Sequence, residues 1–132
     1  MTFLVDADVM SAHLRGRGKV TSRLMQHTGR LAMSVVTLAE LQAWLYRDKT
    51  PQRYRDGLTV LKGELLLLPI DENVANRFGE LASHFLDRGQ PIATPDLLIA
   101  STALVHDLTL VTGNVRHFSA VDGLRIENWL EP

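Results

Sequence analysis

The sequence predicts an α/β domain with a small, mostly parallel sheet of four or five strands and helices on both faces. Short apolar runs alternate with helical stretches from end to end, the pattern of strands joined by helical crossovers. One of these runs, Leu65 to Ile70, is continuously apolar and suits a strand buried on both faces. A length of 132 residues fits a single domain, 1–132, large enough to bury its own core.

Taken in order, Phe3 to Val5 reads as the first strand and Asp8 to Leu14 as the helix after it. The Gly16 and Gly18 turn leads into a second helical stretch, Val20 to His27. Leu31 to Val35 is the next strand, and Thr37 to Arg47 carries Leu38, Leu41 and Leu45 at helical spacing. Pro51 marks a further helix, because its fixed φ suits the first helical position. The Leu65 to Ile70 strand contains Pro69 near its end. Asn73 to Leu86 is amphipathic and stops at Gly89, while Leu97 to Val105 is nearly all apolar and so a buried helix. Leu108 to Thr112 is the fourth strand and Leu124 to Ile126 a short fifth.

Composition narrows the chemistry. The chain has no cysteine, which excludes disulfides, thiolate zinc sites and cysteine nucleophiles. No uncharged apolar stretch reaches about 18 residues, so no membrane-spanning helix is expected. The start, MTFLVDADVM, does not read as a signal peptide, and the expected location is the cytoplasm. A net charge of −1 carries no general signal for nucleic acid. The distribution is uneven, however: Val9 to Ala39 contains no acidic residue but holds Arg15, Arg17, Lys19, Arg23 and Arg30. Such a stretch suits phosphate contact, or equally a solvated helical face.

Three carboxylates stand in apolar surroundings: Asp6 after FLV, Glu40 in SVVTLAEL and Asp96 in TPDLLIASTAL. Burying a charge is costly unless it is paired, hydrogen-bonded or bound to a metal. Each has a local explanation. Asp6 or Asp8 can cap the first helix, Thr37 and Glu40 form a capping box, and Thr94-Pro95-Asp96 reads as cap, first-turn proline and dipole-favoured acid. Jointly they say more, because ligands of open parallel sheets bind outside the carboxyl ends of the strands. Three acids converging there suit a hard divalent cation such as Mg²⁺, which keeps waters that can attack a substrate.

The segments LVDADVMS, SVVTLAEL and TPDLLIASTALVHDLTLVTGNVRHF, in this order, resemble the PIN-domain ribonucleases, especially VapC-type toxins of toxin–antitoxin pairs. The resemblance runs from Phe3 to about Trp129 and is most specific around Asp96 and LVTGNVRHF. It implies a three-layer PIN-like fold and RNA hydrolysis with Mg²⁺ or Mn²⁺, with Asp6, Glu40 and Asp96 as metal-binding and catalytic acids. It further implies a structured RNA substrate such as tRNA or rRNA, a VapB-type antitoxin as partner, and a homodimer. The chain departs from the family pattern in two respects. Asp8 stands where Asn is usual, and neutral Asn114 and His117 stand where members often carry a further acid. Asp8 is therefore an additional candidate ligand. Asn114 and Thr112 are candidates for hydrogen-bonding the metal's waters or its carboxylates.

Arg15, Lys19, Arg116 and His117 are the candidate RNA contacts, and Trp44 and Tyr46 can stack on bases or pack. The remaining histidines, His13, His27, His84 and His106, read as packed or exposed. Two rival functions compete. LVDADVM also fits an Asp-x-Asp phosphatase, with Asp6 as nucleophile and Asp8 as acid/base, but no lysine follows Lys62 and no late acidic pair occurs. A weakened PIN-like module that only binds RNA or protein is the other alternative.

Overall fold

The computed structural model describes residues 1–47 and 49–131. Five strands form one sheet: β1 (Phe3–Val5), β2 (Leu31–Ser34), β3 (Leu66–Leu68), β4 (Thr109–Val111) and β5 (Ile126–Glu127). Their order is β3-β2-β1-β4-β5 and every neighbouring pair is parallel. The chain winds outward from β1 to β3, then returns to the other side of β1 with β4. The reversal lies between β1 and β4, where Val5 pairs with Val111. Open parallel sheets form their ligand crevice at such a reversal.

Side chains alternate across the sheet with a period of two. Phe3, Val5, Leu31, Met33 and Val111 join one apolar cluster; Leu4, Ala32, Leu68 and Leu110 join the other. The first face is covered by α1 (Ala7–Leu14), α2 (Gly18–Gln26), α3 (Val35–Leu45) and α4 (Gln52–Lys62), with Trp129 filling its edge. The second is covered by α5 (Glu72–Asp87), α6 (Thr94–Val105) and the short α7 (Val115–Phe118). The expected three-layer α/β architecture is present. Among the described residues no helix is long and apolar enough to cross a membrane.

Helix ends follow identifiable chemistry. The Asp71 carboxylate accepts from the Val74 N–H to start α5. The same helix ends with Gly89 at φ 65°, while Gln90 N–H and Gly89 N–H donate to the Phe85 and Leu86 carbonyls. That paired closure needs a left-handed residue, which glycine adopts freely. After α6, Asp107 takes the same role at φ 53°, and Arg125 bonds both its carbonyl and its carboxylate.

Four expectations change. The third strand is an edge strand, not one buried on both faces: Leu66 and Leu67 are 49% and 42% exposed. A run of leucines records apolarity, whereas the sheet order decides which faces are covered. The Thr37–Glu40 capping box does not form, because Ser34 Oγ accepts from the Val36 N–H and α3 starts at Val35. Thr94 likewise makes no cap; Ala93 is the α6 cap residue and Pro95 lies in the first turn. Pro51 precedes α4 as its cap residue instead of opening it.

Candidate active site

Asp6 leaves β1 at the reversal and begins α1. Its Oδ1 accepts from the Ala7 N–H at 2.8 Å and its Oδ2 from the Thr112 hydroxyl at 2.9 Å. Its backbone N–H donates to the Val111 carbonyl at 2.9 Å. The first and fourth strands are thereby joined through both backbone and side chain. The capping account of Asp6 is correct, and it does not exhaust the residue. Each carboxylate oxygen has one donor and keeps further acceptor capacity.

Charge in this crevice is uncomfortable. Asp6 is 5% exposed, and burial pushes its pKa up to about 6; Asp8 and Asp96 add repulsion, while Ala7 N–H and the Thr112 hydroxyl offset part of it. Glu40, on α3 at the mouth of the site, is also raised. Desolvation is its largest cause, followed by Asp6, Asp96 and Asp8. Asp6 thus feels the charge of Asp8 and Asp96, and Glu40 that of all three aspartates. Asp6 follows β1, Glu40 lies on the helix after β2 and Asp96 in the first turn of α6, so all three stand toward the same edge of the sheet.

Asp96 sits in the first turn of α6, and its Oδ2 lies 3.1 Å from His117 Nδ1 on α7. With Arg116, these two residues line a cleft of about 330 Å³ that also includes Pro91, Ile92, Ala93 and Ala120. Glu40 and Asp8 line a second cleft of about 190 Å³, together with Ala7, Ser11, Arg15, Leu41 and Trp44.

Asp8 is placed differently from the other acids. Its Oδ1 accepts from the Val9 N–H and its Oδ2 from the Gly113 N–H, both at 2.8 Å. Burial raises its pKa, and the Gly113 and Val9 amides act against that shift. Both oxygens are engaged by backbone, an arrangement unlike a free acid/base group of an Asp-x-Asp phosphatase. Gly113 is the residue that sequence reasoning missed. A Cβ there would stand 2.5 Å from Leu130 Cδ1 and 2.8 Å from Asp8 Oδ2, so any side chain would have to push Leu130 or the Asp8 carboxylate aside. Its signal was a glycine in the turn that follows the fourth strand, in LVTGN.

Thr112 is fully buried and touches Asp6 directly. Asn114 joins through its backbone, whose N–H donates to Thr112 Oγ1 at 3.0 Å; its side chain is exposed and contacts none of the four acids by hydrogen bond among the described residues. Arg15 lines the Glu40 cleft, and Arg116 and His117 the Asp96 cleft. Lys19 lines a separate hollow with Arg17, Gly18, Val20 and Leu130. Tyr46 is exposed, while Trp44 is half-buried and stacked on Tyr54. His27 packs against Phe3 and Trp129, as a structural histidine should.

The donor set is all carboxylate and mutually repelling, which is chemistry a hard divalent cation offsets. Among the described residues no three His, Cys, Asp or Glu side chains already stand in an arrangement that could hold a metal ion. Glu40, at the mouth, is the acid with the most freedom to close that gap.

A five-stranded parallel sheet in this order, with acids near the point where the winding reverses, defines an open α/β domain with an acidic candidate site. The PIN-domain family model matches residues 3–124, and the chain belongs to that family. Ribonuclease VapC10 of Mycobacterium tuberculosis is 36% identical over 124 residues, covering 92% of this chain and 90% of that one. The tRNA(fMet)-specific endonuclease VapC of Shigella flexneri is 29% identical over 133 residues, covering 98% of each. Among solved structures, VapBC2 from Rickettsia felis bound to a DNA fragment from their promoter superposes with a TM-score of 0.88 at 26% identity. The match covers 98% of this chain and 99% of that one.

Proposed function

We propose that this protein is a VapC-type endoribonuclease toxin, neutralised by a cognate VapB-type antitoxin, that hydrolyses RNA phosphodiester bonds with Mg²⁺ or Mn²⁺. The observation that carries the reading is the Asp6–Thr112 hydrogen bond at the sheet reversal, with Glu40 and Asp96 electrostatically coupled to Asp6. Membership of the PIN family and the likeness to VapC ribonucleases and VapBC complexes support it.

Asp6, Asp96 and Glu40 would hold the cation, which when bound activates water and offsets negative charge on the phosphoryl oxygens. Ala7 N–H and Thr112 fix the Asp6 carboxylate and leave acceptor capacity on both its oxygens. Glu40 orients the attacking water and accepts its proton, a task suited to a carboxylate raised above the ordinary range. The water oxygen bonds to phosphorus as the bond to the 3′-oxygen breaks; that oxygen takes a proton from solvent, leaving a 5′-phosphate and a 3′-hydroxyl. We assign Asp8 a holding role, tying the β4–α7 loop to α1, and Asn114 a place in that loop. Structured RNA such as tRNA or rRNA is the proposed substrate, the cytoplasm the location and a homodimer the assembly.

The test is direct. Protein freed of antitoxin should cleave RNA with Mg²⁺ or Mn²⁺ and stop when chelator is added. Asp96→Asn should lose cleavage with an unchanged melting temperature; an active variant would overturn the role of Asp96. A second reading, an RNA- or protein-binding module with a weakened site, draws on the engagement of the Asp96 carboxylate by His117 and on the open donor arrangement. Calorimetric titration separates the two. Absence of Mg²⁺ and Mn²⁺ binding that depends on Asp6 and Asp96 leaves only the module.

A further inference from the structure

Beside the Glu40 cleft, four side chains from three helices are linked in series. The Arg15 guanidinium, at the end of α1, lies 4.9 Å from the Trp44 ring centroid on α3. Trp44 stacks on Tyr54 of α4 with ring centroids 5.4 Å apart and 29° between planes. Arg53 in turn lies 4.8 Å from the Tyr54 ring and donates to the Tyr54 hydroxyl at 3.2 Å. Both aromatic rings pack against the core cluster on that face, so the stack has a fixed base. Both arginines are exposed. Among the described residues neither forms an ion pair, and Arg15 makes no side-chain hydrogen bond.

We propose that Arg15 and Arg53, held over the Trp44 and Tyr54 rings, are a two-point grip for successive phosphates of the RNA strand as it runs out of the Glu40 cleft. The proposal rests on the ribonuclease reading above and adds the path of the substrate. A free arginine loses rotamer entropy when it binds phosphate, whereas one already laid on an aromatic face has its planar fork pre-set. Its N–H edge stays available for bidentate contact with phosphate oxygens. Continuity fixes the ligand class: Arg15 shares one cleft with Glu40 and Asp8, so a phosphate beside the reacting one meets this guanidinium first. The acidic site repels an RNA backbone, and the Arg15 guanidinium in the same cleft, with Arg53 further along the stack, counters that. Neither Tyr54 nor Arg53 stood out in the sequence, since their partner Trp44 lies in another helix.

The experiment is binding of a fluorescent single-stranded RNA to the full chain in chelator, followed over a series of salt concentrations. Arg15→Ala and Arg53→Ala should each weaken binding roughly tenfold and lower the salt slope by about 0.7, the amount for one phosphate contact on a single strand. Arg15→Lys should keep the slope but not the affinity, because a lysine keeps the charge and loses the stacked fork. Trp44→Leu should behave the same way, and Trp44→Phe should recover part of the loss if the leucine variant folds poorly. Unchanged slopes in both alanine variants, with wild type binding and cleaving RNA, overturn the grip and leave the ribonuclease reading standing. Full rescue by lysine overturns the stacking argument. Variants that lose only a protein partner show that the strip serves that partner instead. Wild type that neither binds nor cleaves RNA overturns both readings.

Discussion

Replacing Asp6 with asparagine should stabilise the metal-free protein at neutral pH while abolishing its activity. The carboxyl is raised from 3.8 to about 6 chiefly by burial. A shift of that size corresponds to about 3 kcal/mol at roughly 1.4 kcal/mol per pKa unit, and the side chain is too buried for solvent to screen it away. The sign follows from proton counting. Between about 4 and 6 the folded protein holds a proton that the unfolded chain has released, so stability falls as pH rises through that window. Above it the full cost of the buried charge is present; below it the cost is gone. Asp8 and Glu40 are raised as well and act in the same direction. Asparagine keeps an acceptor for the Ala7 N–H but carries no charge, and should recover about 1–3 kcal/mol at pH 7. With roughly 4 °C per kcal/mol for a domain of this size, the expected rise in melting temperature is about 4–12 °C. Thermal unfolding in chelator at pH 5 and pH 7.5 measures it. Wild type should melt higher at pH 5, and the variant should show a much smaller pH difference. An Asp6→Asn protein that melts lower than wild type at pH 7.5 would refute the reasoning.

Three more outcomes are expected. Thr112→Val removes the donor to Asp6 and the acceptor of the Asn114 N–H, and should cost about 1–3 kcal/mol in urea unfolding together with most activity. Thr112→Ser should restore both. Gly113→Ala places a methyl against Leu130 and Asp8, and should cost about 1–3 kcal/mol and shift the β4–α7 loop, visible in amide exchange of that loop. Asp8→Asn can still accept from Gly113 and should keep most cleavage in a fluorogenic RNA assay, whereas Asp8→Ala should lose it through loosening of the same loop.

The alternation of apolar runs was enough to read the parallel sheet, and the three acids were legible because each interrupts apolar sequence. What stayed hidden depends on long-range pairing. Leu66 and Leu67 look like core until the sheet order puts them at an edge. Ser34 outcompetes Thr37 as the α3 cap because β2 ends one residue earlier than its apolar run. Thr37 then lies inside the helix with its hydroxyl buried and unpartnered among the described residues. That finding removes the bland explanation for Glu40. The Asp8–Gly113 contact joins residues 105 apart, and no local pattern announces such a pair.

The separation of Asp6 from Thr112 by 106 positions also sets a clock. The strand that leads into Asp6 and the strand that leads into Thr112 and Gly113 are neighbours in the sheet but remote in the chain. Until β4 has been made, Asp6 has no neighbour across the reversal, Asp8 has no loop to hold, and His117 is not yet there to meet Asp96. The site therefore cannot assemble before β4 and α7 do, and any opening that parts β4 from β1 dismantles it.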